Sequence, residues 1–225
     1  MIDPTDQAAA VPPSILTPRR MSRSSPGSVF AVELRLERDP QTRELVEQPH
    51  ALNPRYTAVL ASVQAFAPAL WQLAVEQQVP RAFYSSVTAD GAEWIWNLAA
   101  DYFPDSVQIV DWYHACQHLA AAADALHPDD KEAAQRWFQQ RQADIPDQAR
   151  YFHTHKRRMQ YQTFHEEGYP IGSGTVESEI KQFKARLTGP GMRWSRPAAE
   201  HMLVIRGAVL DHSFDTLWEA TLPRN

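Results

Sequence analysis

Two short apolar runs, AFYSSVTAD at 82–90 and SVQIVD at 106–111, each close on an aspartate, and a single helical segment, AEWIWNLAADYF, lies between them. Asp90-Gly91 breaks the first run, Pro104-Asp105 turns the chain into the second, and WYHACQHLAAAADAL (112–126) then reads as a further helix. Strand, helix, strand, helix is a βαβ unit. Its two strands must be parallel neighbours joined by a crossover, so Asp90 and Asp111 are expected at the same edge of one sheet. Open α/β sheets place their ligands at that edge. The expected fold class is therefore α/β.

Upstream, SVFAVELRLE (28–37) alternates with period two and predicts a half-buried strand, while RDPQTRELVEQPHALNP reads as loop. The uncharged run YTAVLASVQAFAPALWQLAV is long enough to span a bilayer. However, Val59, Leu60, Val63, Phe66, Leu70 and Leu73 recur at steps of three and four, which predicts a core helix over 55–78 closed by Pro80. No membrane partner is expected. Residues 1–27 carry five prolines and no aromatic residue, and they predict a disordered leader without a secretory signal.

Beyond 126, a helix capped by Asp129 or Asp130 is expected to run to about 143. Helices follow over about 147–160, 175–187 and 197–210. The loops at 165–174 and 188–194 hold five of the eight glycines.

Composition narrows the function. With 225 residues, a net charge of −5 and one cysteine, Cys116, the chain excludes a polycationic coat and an intramolecular disulfide framework. A reducing, cytoplasmic setting follows, and any nucleic-acid role must be regional. Such a region exists. Between Lys156 and Trp194 there are seven Lys or Arg against four glutamates. Lys181, Lys184, Arg186 and Arg193 could contact phosphates and Trp194 could stack on a base, although a solvated helix face would look the same.

Hard carboxylate oxygens at Asp90 and Asp111 suit Mg²⁺ or Mn²⁺, but Asp-Gly also makes an ordinary turn and Asp111 an ordinary helix cap. His114 and His118 share one helix face. They suit either a core hydrogen bond, such as one between Asp111 and His114, or a zinc site that lacks its further ligands. In HEEGYPIGSGTVES (165–178), the Gly172-Ser173-Gly174 turn is expected to enter a helix with Glu177 in its first turn.

Four motifs in order give the chain a resemblance: DGAEWIW (90–96), DWYHACQHL (111–119), GYPIGSGTVES (168–178) and GMRWS (191–195). Over about 65–218 the sequence resembles the ISKra-type transposases of bacterial insertion sequences. The resemblance implies a ribonuclease H-like core with an Asp-Asp-Glu triad and two divalent metal ions. It also implies DNA as partner, homo-oligomerisation on DNA, and a cytoplasmic, nucleoid-associated protein. Asp90 matches the second catalytic aspartate and Glu177 the catalytic glutamate, so both are the implied metal ligands. Asp111 and His114 match a supporting element between them.

Such a family carries its first catalytic aspartate on the first core strand, and 28–37 contains none. The expectation is a truncated core missing its first strand over 28–218, with a helical carboxyl-terminal portion and a tail at 219–225. Two functions remain open: a DDE-type transposase fragment that cleaves and joins DNA with Mg²⁺, and a catalytically dead relic that only binds DNA or inhibits.

Overall fold

In a computed structural model, the chain is described over residues 13–16, 25–39, 42–60, 62–142, 150–172, 181, 187 and 191–222. It is a mixed α/β protein. Five strands, β1 (Pro13–Leu16), β2 (Ser25–Arg38), β3 (Leu45–Val59), β4 (Ser86–Ala89) and β5 (Val107–Val110), form one sheet in the order β3-β2-β1-β4-β5. β2 runs antiparallel to β1 and β3, and β4 and β5 are parallel to β1. All strands but β2 thus point the same way.

The expected pair of parallel strands is present, shortened to its apolar centres. All four residues of β4 are buried, as strands covered on both faces must be. Helix α2 (Glu93–Tyr102) makes the crossover, and α3 (Trp112–Leu126) leaves β5 directly.

Three expectations are corrected in the first third of the chain. A strand precedes the 28–37 segment: β1 lies inside the stretch expected to be disordered and occupies the centre of the sheet. Its four residues, Pro13-Ser14-Ile15-Leu16, are too few for periodicity to show, and they pair on both sides, Ile15 opposite Val29 and Val87. The segment over 28–37 is consequently the second strand, lengthened to Ser25–Arg38.

The stretch read as loop, together with the first residues assigned to the long helix, is instead β3. Pro49 and Pro54 argue against a strand in the sequence, but β3 is the sheet edge, where a missing N–H costs no ladder bond. Asn53, at φ 50°, sits where the register with β2 shifts between Val29 and Ala31. The β2–β3 turn is held by Asp39, whose Oδ1 accepts from the Thr42 N–H at 2.7 Å.

Helix α1 therefore begins only at Val63 and ends at Glu76. Its buried face, Phe66, Leu70, Leu73 and Ala74, packs into one cluster with Val29, Val87 and Ile109 of the sheet, Ile95 and Leu98 of α2, and Ala115 and Leu119 of α3. Gly27 permits the approach of α1 to β2, since a Cβ there would lie 3.0 Å from the Phe66 ring. Among the described residues no helix is long and apolar enough to cross a membrane.

The later helices are α4 (Lys131–Gln142), α5 (Arg150–His155), α6 (Tyr161–Glu166), α7 (Arg196–Leu210) and α8 (Phe214–Thr221), with a 3₁₀ turn at Lys156–Arg158. The helix expected over 147–160 gives way at Lys156 to that turn. Helix α8 runs into the stretch expected to be a tail, and the helix expected over 175–187 lies almost wholly outside the described residues. α7 packs on β3, where Arg55 Nε meets Asp211 Oδ2 at 3.0 Å and Arg196 Nη2 donates to the Leu60 carbonyl at 3.0 Å.

Candidate functional site

Asp90 and Asp111 stand where the βαβ reading puts them. Ala89 pairs with Val110, and the Asp111 N–H continues that ladder to the Ala89 carbonyl at 2.8 Å, so the two aspartates are direct neighbours one strand spacing apart, about 4.8 Å. Each also does the ordinary work that its sequence context allowed. Asp90 Oδ1 accepts from the Ala92 N–H at 3.1 Å and starts α2. Asp111, only 5% exposed, accepts the His114 backbone N–H at 2.9 Å as the cap of α3. That cap bond goes to the backbone of His114, whereas the sequence suggested its ring.

Gly91 makes the Asp90 turn possible. Its φ of +91° is left-handed, and a Cβ would lie 2.5 Å from the Tyr151 hydroxyl oxygen. Tyr151 is the site residue that the sequence reading missed. Its hydroxyl donates to the Asp90 carbonyl at 3.1 Å, and its ring stacks on His118 with centroids 4.0 Å apart. Burial first, then the charges of Asp90 and Asp111, push its phenol well above the usual tyrosine range. The aromatic-histidine run YFHTH (151–155) was the available signal, because Tyr151 and His155 share a helix face at i, i+4.

His118 lies with its Nε2 3.2 Å from Nε2 of His114. Burial against Tyr151, then the neighbouring His114, lower its pKa, and Asp90 opposes them. The ring series continues through His155, 4.8 Å from Tyr151, to Trp96 and to the Arg158 guanidinium 4.6 Å above the Trp96 ring. His155 is likewise lowered, by burial and then by Arg158 and His118.

The GYPI segment closes on this edge. Thr88 Oγ1 donates to the Pro170 carbonyl at 3.3 Å, and the Trp112 N–H donates to the Ile171 carbonyl at 2.9 Å. The chain up to Gly172 is therefore laid across the tips of β4 and β5. Glu177, Lys184 and Arg186 lie outside the described residues. Lys181 is described and exposed.

Arg193 and Trp194 are exposed just ahead of the α7 cap at Ser195. Because Arg196 reaches the carbonyl of Leu60, immediately after β3, this segment sits at the same end of the sheet as the aspartates. Three strand spacings, roughly 14 Å, separate β3 from β4.

The described residues do not by themselves make a metal centre. Among them no group of three or more His, Cys, Asp or Glu converges on a cation position. Asp90 and Asp111 each commit one oxygen to a backbone N–H. β1 brings no carboxylate beside Asp90, and the sequence after it runs Thr17, Pro18, Arg19, Arg20.

In comparisons with known proteins, no family model, no curated protein and no solved structure matches the chain.

Proposed function

We propose that the chain is the core of a DDE-type transposase that acts on the DNA ends of an insertion sequence. The observation that carries this is the docking of the 169–172 segment on the two aspartate-bearing strand tips. Glu177 follows Gly172 by five steps of the chain, a reach of at most about 18 Å, so the carboxylate that the motif resemblance singles out is tethered within that distance of the edge holding Asp90 and Asp111. A sheet of three antiparallel strands extended by two parallel ones, with acids at the tips of the parallel pair, is compatible with a ribonuclease H-like core.

In this reading Asp90 and Glu177 are the ligands of Mg²⁺ or Mn²⁺, two ions in a complete site, and the ions supply Lewis acidity for attack on a phosphodiester. Asp111 and His114, joined by the cap bond of α3 at the adjacent strand tip, support that site without ligating the ions. Lys181, Lys184, Arg186, Arg193 and Trp194 contact DNA, with a homo-oligomer on the DNA and nucleoid association following from that partner.

A second reading has one specific observation in its favour. The central strand, with sequence PSIL, supplies no first aspartate, which suits a relic that binds DNA without cutting it. Nicking of supercoiled plasmid in Mg²⁺ or Mn²⁺ separates the two. Metal-dependent nicking lost in Asp90→Asn and Glu177→Gln is expected of the transposase. Intact DNA binding with no nicking under any divalent ion would select the relic.

A further inference from the structure

His114 and His118 stand one turn apart on α3, in the run His114-Ala115-Cys116-Gln117-His118. At that spacing both rings project from one face of the helix. It is also the spacing at which a single helix offers two imidazoles to a zinc ion. The helix that carries them is firmly placed, because Ala115, Leu119 and Ala123 are buried on its other face and Asp111 caps its start.

The two rings meet through the nitrogens that such an ion would use. Nε2 of His114 and Nε2 of His118 are 3.2 Å apart, with the ring planes at 85°. Imidazole nitrogens held at about 2.0–2.1 Å from one tetrahedral ion lie about 3.3–3.4 Å from each other, so the pair needs little movement to admit a cation. A single N–H···N bond accounts for the same distance. The two readings differ in whether a cation can replace the shared proton.

Tyr151 prepares one of the ligands. Its hydroxyl is anchored on the Asp90 carbonyl, and its ring stacks on His118 at 4.0 Å and 23°, which fixes the imidazole plane through its face and not through its nitrogens. A ligand ordered before the ion arrives loses less freedom on binding. Burial, then the neighbouring His114, lower the His118 pKa from its usual 6.5, so the ring is neutral at pH 7, the form that coordinates. Asp90 is near enough for its negative charge to act on the same ring, and that charge favours a cation there.

Imidazole suits zinc, nickel and copper, whereas Mg²⁺ and Mn²⁺ prefer the oxygens of carboxylates and water. We propose that His114 and His118 form a two-imidazole site for a divalent cation of the zinc, nickel and copper class, beside the carboxylate edge and distinct from it. The site commits two protein donors; among the described residues no group of three or more His, Cys, Asp or Glu is placed to hold an ion. The inference rests on the geometry of the imidazoles and does not require the phosphodiester cleavage proposed above.

The test is calorimetric titration of the chelator-stripped full chain with Zn²⁺ alone and with Ni²⁺ alone, both in excess Mg²⁺ so that carboxylate sites are already occupied. His114→Gln and His118→Gln are compared with His201→Gln/His212→Gln, which removes two imidazoles elsewhere. Each variant is first melted without metal, so that loss of binding is separated from loss of fold. One ion per wild-type chain is expected, weakened at least about tenfold by either single substitution, since even the outer partners of a bound metal are worth that much, and unchanged in the control. Zn²⁺ should also raise the Tm of wild type and control but not of His118→Gln. Absence of binding to wild type, or binding that survives both single substitutions, would overturn the site and leave an N–H···N bond, with the transposase reading untouched. Binding lost in Asp90→Asn and kept in the histidine variants would also overturn it, and would assign the ion to the carboxylate edge.

Discussion

The two ends of this sheet are built on different principles. At the β4–β5 end the strands are four residues long, β4 is wholly buried, and every tip is crowded by α2, α3, Tyr151 and the GYPI segment. At the β2–β3 end the strands run to 14 and 15 residues, and their outer half, from Arg35 to Arg38 and back through Leu45, is exposed. One end is held by side-chain packing around two aspartates, the other by a backbone ladder. Tertiary crowding thus coincides with the chemically interesting edge, and the hairpin is the part of the sheet that can change at little cost.

This contrast makes the largest effect a core truncation at the crowded end. Ile109→Ala in β5, fully buried in the common cluster, is expected to destabilise by about 2–5 kcal/mol in denaturant unfolding. A value below 1 kcal/mol would break the comparison. Gly91→Ala comes next. Its left-handed backbone and the Tyr151 hydroxyl together are expected to cost about 1–3 kcal/mol, and the double variant Gly91→Ala/Tyr151→Ala should recover part of that loss if the clash is as placed.

A pH dependence follows from the histidines of the ring series. His118 and His155 both have folded pKa values below the unfolded 6.5, so the unfolded chain binds more protons as the pH falls through that value. Stability is therefore full above about pH 6.5 and declines below it towards the folded values. Thermal melts between pH 8 and pH 5 should show the decline, and His118→Gln/His155→Gln should flatten it. A profile unchanged by the double substitution would remove the ring series from the packing of the crowded end. The smallest effect is expected at the hairpin, where Leu36→Ala, at a side chain 67% exposed, should stay within about 0.5 kcal/mol of wild type.

Legibility in the sequence follows the same division. The crowded end was readable because β4, α2, β5 and α3 follow one another at close spacing and the turns at Asp90-Gly91 and Pro104-Asp105 mark the boundaries. Asp90 and Asp111 came out as strand-tip neighbours for that reason, and both also perform the turn and cap duties their context allowed. The hairpin end was misread. An edge strand that tolerates Pro49 and Pro54 looks like loop, and its last residues, from Arg55 to Val59, were absorbed into the apolar pattern of α1.

β1 was illegible for a different reason. Four residues carry no period, and their pairing partners, β2 and β4, stand on either side of them only in three dimensions. Tyr151 escaped because its role depends on reaching the Asp90 carbonyl from a helix 61 residues away. Of the two proposed metal ligands, Asp90 is fixed at the edge and Glu177 lies outside the described residues.

The most direct measurement is a calorimetric Mn²⁺ titration of the purified chain beside Asp90→Asn and Glu177→Gln, at one pH and salt. If the β4–β5 edge is a metal site completed by Glu177, wild type should bind and both substitutions should weaken binding. Three indistinguishable titrations would contradict it and leave the crowded edge as packing alone.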